Sequence, residues 1–316
     1  MKILKTVQKI PGGMMVVPLI LGALVNTFFG DALKIGGFTT ALFKNGASCL
    51  IGLFIFCNGA MINVKQAGKP LFKGLILTVT KFLLGAVLGW AVNKAFGPVG
   101  VIGITPLAII AAMTNSNGGL YTALAGEYGD SSDVGALAVL AINDGPFLTM
   151  VAFGATGLAD IPLIDLVACV VPLVIGFILG NLDEDLRHFL GSQMNLLIPF
   201  FAFPLGASLN FRTIINAGAP GLILGVVVTI ITGFGGYFVS RVYGKKMNPA
   251  AAAIGSTAGN AAATPNAIAA SDASLAPYAA AATAQVAAAV IVTAVLCPLL
   301  TSYLAKRAKG ENKATA

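Results

Sequence analysis

Two polar knots interrupt an otherwise apolar chain, and both carry residue types that can hold a small solute. The first is Thr114-Asn115-Ser116-Asn117-Gly118-Gly119; the second runs through Ser256, Thr257, Gly259 and Asn260 to Thr264, Pro265 and Asn266. Asn, Ser and Thr supply neutral donors and acceptors that suit hydroxyl groups. Consecutive glycines weaken a helix, and Pro265 lacks the N–H that would bond one turn back, so both stretches are expected to unwind. A broken helix exposes N–H groups and a positive dipole end suited to an anion, while the freed carbonyls can hold a cation. Thr114, Asn115, Ser116, Asn117, Gly118, Gly119, Thr257, Gly259, Asn260, Thr264 and Asn266 therefore form the expected site for a small, anionic, hydroxyl-rich solute. The competing reading is that these residues only glue helices together, as Ser, Thr and Asn do within bilayers.

A second group could move an ion. Asp144, in Asn143-Asp144-Gly145-Pro146, falls near the centre of an apolar run, and Lys81 falls inside another. Carboxylates at that depth are costly and mark proton or ion pathways. Asp144 is the candidate proton carrier, grouped with Asn143, Gln285 and Lys81; alternatively it is a static partner for Lys81. Glu127, near Asp130 and Asp133, is expected to be solvated, and His188, in Asp183-Glu184-Asp185-Leu186-Arg187-His188, to lie in a loop without a role. Cys49, Cys57, Cys169 and Cys297 sit in apolar stretches without a CxxC pair and read as buried, inert thiols, with no metal site or other cofactor expected.

The elements that position these residues must cross a membrane. The 316 residues are 57% hydrophobic and only 10% charged, with a mean hydropathy of +0.89, whereas soluble domains carry about 25% charged residues. The 38 glycines suit closely packed membrane helices. A net charge of +7 arises from residues in the gaps between apolar runs, not from a basic patch with aromatics, so nucleic acid is excluded as a partner. Lys2, Lys5 and Lys9 before an apolar run imitate a secretory signal, but Val17–Gly22 (VPLILG) recurs as Val171–Gly176 (VPLVIG), which marks a structural helix.

Spanning takes about 20 apolar residues, and ten segments qualify: 12–29, 41–62, 71–93, 99–127, 132–155, 161–181, 191–210, 217–240, 248–271 and 276–304. Their continuous hydrophobicity excludes a β-barrel. With a cytoplasmic N-terminus, the inner side collects 14 Lys and Arg, among them Lys65, Lys69, Lys73, Arg187, Lys309 and Lys313, and the outer side only Lys34, Lys44, Lys94 and Arg212. The positive-inside rule thus puts both termini in the cytoplasm.

The chain also repeats itself. Gly59–Val64 pairs with Gly206–Phe211, and Gly74–Gly97 pairs without a gap with Gly221–Gly244, 8 of 24 positions being identical. Pro106, Thr114 and Asn117 fall opposite Pro249, Thr257 and Asn260, and Asn143 opposite Gln285. The expected fold is all-α, with residues 1–158 and 159–316 each forming a five-helix repeat. An odd number of spans inverts the second repeat, the architecture of alternating-access carriers.

The opening KIPGGMMVVPLILGALVNTF, then TNSNGGLYTAL, LGNLDEDLR and LIPFFAFPLGASL, resemble the 2-keto-3-deoxygluconate permease family across nearly the whole chain. That resemblance implies a proton symporter bringing 2-keto-3-deoxygluconate, a product of pectin breakdown, through the inner membrane of bacteria. It also implies the fold of the bile acid–sodium symporters: a panel of spans 1, 2, 6 and 7, and a core of spans 3–5 and 8–10 with crossed, discontinuous fourth and ninth helices. Ser116 and Asn117 look like the Ser-Asn pair of the sodium-coupled relatives, and Asn260 like the asparagine of their other crossing helix. Those relatives use a Glu and a Gln upstream on the ninth helix, whereas here the ninth span holds no acid before Asp272. This departure counts against a second sodium site and favours protons, with Asp144 as carrier, although an acid can stand in that family where Thr114 stands here.

Three alternatives remain. One is a sodium-coupled symporter of another small carboxylate. Another is a membrane-embedded enzyme, which would need a paired nucleophile and base or apposed aspartates; the only His is in the expected loop and Asp144 is the sole deep acid. A channel is the third, and an inverted pair of broken helices favours a gated carrier over it. The oligomeric state is not legible.

Overall fold

A computed structural model describes residues 2–10, 13–63, 68–209 and 211–314. Val64, Lys65 and Asn210, used above in the repeat and charge readings, lie outside the described residues, as do the side chains of Phe211, Lys309 and Lys313. Helices run in the order α1 (Ile3–Gln8), α2 (Gly13–Phe29), α3 (Gly37–Phe43), α4 (Ala47–Met61), α5 (Lys69–Phe96), α6 (Pro106–Thr114), α7 (Gly118–Tyr128), α8 (Ser131–Gly135), α9 (Leu137–Leu140), α10 (Phe147–Thr156), α11 (Leu163–Leu182), α12 (Glu184–Gly206), α13 (Phe211–Val239), α14 (Thr264–Ser271) and α15 (Ala276–Ala314). The one β interaction among the described residues is an isolated bridge between Val101 and Ile104.

Among the described residues six helices are long and apolar enough to cross a membrane, and eight spans result if two bent pairs, α3 with α4 and Ser131–Asn143 with α10, each count as one. The outward positions Val167, Val171, Val174 and Ile178 of α11 are exposed at helical spacing, an apolar stripe with no protein partner. The fourth and ninth expected spans are too fragmented for any one piece to qualify.

Glycines let four of the helices touch backbone to backbone. A Cβ on Gly22 of α2 would stand 2.1 Å from the Phe203 carbonyl oxygen of α12, and one on Gly206 of α12 would stand 1.9 Å from that of Leu19. Likewise a Cβ on Gly59 of α4 would stand 2.1 Å from the Leu173 carbonyl oxygen of α11, and one on Gly176 of α11 would stand 1.9 Å from that of Phe56. Leu19 meets Gly206 while Asn26 further on donates to the Leu209 carbonyl, and Phe56 meets Gly176 while Ala60 meets Gly180, so α2 lies parallel to α12, and α4 parallel to α11. The N-terminus of α2, the C-terminus of α4 and the start of α12 therefore share one face; Lys44, bound to Asn26 and the Ala207 carbonyl, marks the opposite face.

Several expectations need correction here. α12 begins at Glu184 rather than 191, because Asp183 caps it by accepting from the N–H groups of Asp185 and Leu186. His188 is thus helical, facing Glu184 one turn back, and Arg187 is buried with its guanidinium on the Gly180 carbonyl. Glu127 is exposed as expected, whereas its neighbour Asp133 is 2% exposed and pairs with Lys73 at 2.6 Å. Asp130 also meets Lys73, at 3.2 Å. The Ser132 hydroxyl, followed by Lys73, holds the Asp130 carboxyl well below the usual carboxylate range. All four cysteines are free, but only Cys57 and Cys297 are buried; Cys49 is exposed.

Candidate functional site

Both polar knots interrupt their helices, each by its own local chemistry. Pro106 opens α6 at a position where its missing N–H costs nothing, and the Thr105 hydroxyl caps it by accepting from Ala108 N at 3.1 Å. α6 stops at Thr114 because Asn115 turns extended (φ −107°, ψ 138°) and its side-chain amide donates back to the Ala111 carbonyl at 2.9 Å. The next helix, α7, restarts at Gly118, capped by Asn117 Oδ1, which accepts from Leu120 N at 3.0 Å. The ninth segment consists of 3-10 turns over Pro249–Gly255 and Gly259–Ala263, broken at Ser256, which is extended (φ −102°, ψ 158°). Pro265 does not make this break. It sits in the first turn of α14, where proline is tolerated.

The two breaks meet. Asn117 N donates to Ser256 Oγ at 3.3 Å, and the Thr257 hydroxyl donates to the Ala112 carbonyl at 3.1 Å. α7 packs on Pro249–Gly255 while α6 packs on Gly259–Ala263 and α14, so the two segments run in opposite directions across each other.

A third break, not foreseen, passes through Asp144. The fifth stretch bends by 62° between Ser131–Asn143 and α10, since Gly145 takes φ +105° and Pro146 follows it. Gly145 N donates to Asn115 Oδ1 at 3.1 Å, and Asn143 clasps Ser116 by accepting from its N–H at 3.1 Å and donating to its hydroxyl at 3.0 Å. This break is thereby locked to the first.

A cavity of about 300 Å³ opens beside the junction, toward the face that holds the start of α12. Its size is at the lower end of the roughly 300–1,000 Å³ usual for small-molecule sites. Of the expected residues, Asn117, Gly118, Gly119, Asp144, Gly259 and Asn260 line it. The first turn of α7 faces this space with its dipole positive end, which suits a carboxylate. Asn260 is buried, with its side-chain amide facing the Asp144 carboxylate. Thr114, Asn115, Ser116, Asn143, Thr257 and Thr264 are buried behind the wall; Thr114 shares a 2.6 Å hydrogen bond with Thr149. Asn266 lies instead on a second cavity of about 430 Å³, which reaches Lys44 and Ser48 on the opposite face and shares Asn260 with the first.

Two further expected members line neither cavity. Gln285 accepts from Thr105 N–H at 3.1 Å and donates to the Gly103 carbonyl at 2.7 Å, which anchors the start of α6 and not the junction. Lys81 is fully buried, and among the described residues it forms no ion pair with Asp144. Its ammonium donates to the carbonyls of Ile254, at 2.6 Å, and Ser256. Sequence reasoning missed Asn58 of α4, whose amide donates to Asp144 Oδ2 at 3.3 Å, and Asn195 of α12, which lines the cavity. An isolated asparagine inside an apolar span, as at Asn58, was the available signal.

A multi-pass membrane protein whose broken helices meet beside a polar cavity has the build of a solute transporter. The model of the family described as 2-keto-3-deoxygluconate permease matches residues 4–310. The chain is 54% identical to 2-keto-3-deoxygluconate permease 1 of Salmonella typhimurium over 97% of its own length and 96% of that protein's. It is 43% identical to the 2-keto-3-deoxygluconate permease of Bacillus subtilis over 100% and 97% of the two chains, and 39% identical to that of Escherichia coli over 98% and 96%. The chain belongs to the 2-keto-3-deoxygluconate permease family and is a transporter, not an enzyme.

Proposed function

We propose that this protein carries 2-keto-3-deoxygluconate, or a closely similar sugar-acid anion, inward across a bacterial inner membrane by alternating access coupled to protons. The observation that carries the reading is the pair of cavities on opposite faces of Asn260, one walled by Asp144 and the start of α7 and the other reaching Lys44. A solute with one carboxylate and several hydroxyls matches a positive helix end ringed by Asn117, Asn260, Asn58 and Asn195.

The ten-span inverted repeat, with 1–158 and 159–316 as its halves, is supported by the paired contacts of the panel helices. Gly22 on Phe203 mirrors Gly176 on Phe56, and Gly59 on Leu173 mirrors Gly206 on Leu19, at positions the two repeats hold in common. Panel helices α2, α4, α11 and α12 then slide or rock against the core that carries the crossed breaks. The excess of Lys and Arg supports a cytoplasmic location for the face holding the N-terminus and the start of α12.

Proton coupling is assigned to Asp144, the acid that touches the cavity and accepts from Asn58. The test is uptake of 2-keto-3-deoxygluconate by proteoliposomes under an imposed pH gradient, with and without sodium. Accumulation that follows the pH gradient and ignores sodium is expected. Uptake that follows sodium alone would transfer the reading to the sodium-coupled alternative.

A further inference from the structure

Lys81 holds the best-defined polar contact in the core that the transport cycle above leaves unused. Its side chain comes from α5, is fully buried, and ends on the carbonyl oxygens of Ile254 and Ser256, on either side of Gly255 where the ninth segment breaks. Those carbonyls are free because extended backbone at Ser256 ends the 3-10 turns, which leaves acceptors without helical donors. The Ile254 oxygen also accepts from the Thr232 hydroxyl at 3.2 Å, so hydroxyl and carbonyl dipoles converge there. Unwound carbonyls at mid-membrane are the chemistry that holds a monovalent cation, and carbonyl, hydroxyl and water oxygens suit hard cations in general.

We infer that the Lys81 ammonium is a tethered cation that fills a carbonyl-lined cation site at the break of the ninth segment, in place of a free metal ion. The charge that steadies the break is then carried by the chain itself. It neither enters nor leaves during the cycle, so this position contributes no sodium dependence. The inference deepens the coupling reading given above and rests on it for its functional meaning. It is read by unfolding rather than by uptake, so the two fail separately.

The test is thermal unfolding of the purified full-length protein in detergent, in sodium, potassium or propylammonium chloride against choline chloride at equal ionic strength. The unsubstituted protein should unfold at the same temperature in all four. Lys81→Ala should unfold earlier in choline and regain several degrees, saturably, in propylammonium or in sodium, because a cation that binds only the folded state stabilises it. Lys81→Met, whose side chain refills the space without charge, should stay low in every salt. If Lys81→Ala responds to none of the cations, or is as stable as the unsubstituted protein in choline, the assignment is wrong. Should Lys81→Ala not fold, the unsubstituted protein still decides: saturable stabilisation by sodium that Lys81→Met abolishes would mean that the ammonium does not fill the site.

Discussion

Asn117 holds two roles that substitution can separate. Its Oδ1 caps α7 through Leu120 N at 3.0 Å, which leaves Nδ2 as the group available to a solute in the cavity it lines. Asn117→Ala removes both. Loss of the cap costs about 1 kcal/mol of stability, or about 1–2 °C in unfolding temperature for a chain of this size. Loss of one hydrogen bond to a charged solute costs about 1.5–3 kcal/mol, a roughly ten- to hundred-fold weaker Kd. Asn117→Ser keeps an oxygen for the cap and drops the amide, so stability should return while affinity stays low. Asn117→Asp keeps the cap and adds a charge that the helix dipole favours; it should be the most stable of the three yet bind the sugar acid most weakly, because its carboxylate repels the anion. Affinity by titration calorimetry and stability by thermal unfolding should therefore diverge along the series. If affinity simply tracks stability, with Ser restoring both, then Asn117 shapes the helix and does not touch the solute.

Asp144→Asn should bind 2-keto-3-deoxygluconate within a few-fold of the unsubstituted protein yet lose accumulation under a pH gradient in proteoliposomes; retained coupling would return Asp144 to a structural role. Gly59→Ala drives a methyl against the Leu173 backbone, which cannot yield without separating α4 from α11, and should cost about 1–3 kcal/mol. Gly52→Ala on the same helix meets nothing within 4 Å and should stabilise by about 0.5–1 kcal/mol, a contrast that thermal unfolding resolves. Asp133→Ala removes the nearer of the two carboxylates on the buried Lys73 charge and leaves Asp130 at 3.2 Å, so it should cost less than the roughly 3–5 kcal/mol of a fully broken buried pair, read by the same method. The Asp130 carboxyl is depressed in the folded state, so its stabilising effect is present above the ordinary carboxylate range near pH 4 and is lost only as the pH falls below that. Unfolding temperatures at pH 7 and pH 5 should therefore not differ through this latch.

Much of the architecture was legible because a bilayer constrains sequence severely. Every apolar run must cover hydrocarbon and satisfy its own backbone, so the edges of α2, α5 and α11 follow from hydropathy to within a few residues, whereas α13 starts six residues before its expected edge. Both knots were legible for the complementary reason: Asn115, Asn117 and Ser256 in apolar surroundings are tolerable only where backbone unwinds in protein. Hydropathy misjudged the seventh span, since the charged turn Asp183–His188 reads as loop although an N-cap makes it helix. The fifth span read as continuous because Gly145 and Pro146 are ambiguous without knowledge of their backbone angles.

Tertiary structure alone decided who meets whom. Periodicity does not say that Asn58 of α4 reaches Asp144, that Asn195 of α12 faces the same cavity, or that Gln285 holds the start of α6. Nor does it separate Lys81 from Asp144: both are charges in apolar runs, and only the chain path brings the ammonium to the carbonyls of Ile254 and Ser256. Residue type sets what a group can bond to, and local pattern sets where a helix fails. The partner it finds lies far along the chain, 86 residues from Asn58 to Asp144 and 173 from Lys81 to Ile254, and that distance closes only through the packing of the whole bundle.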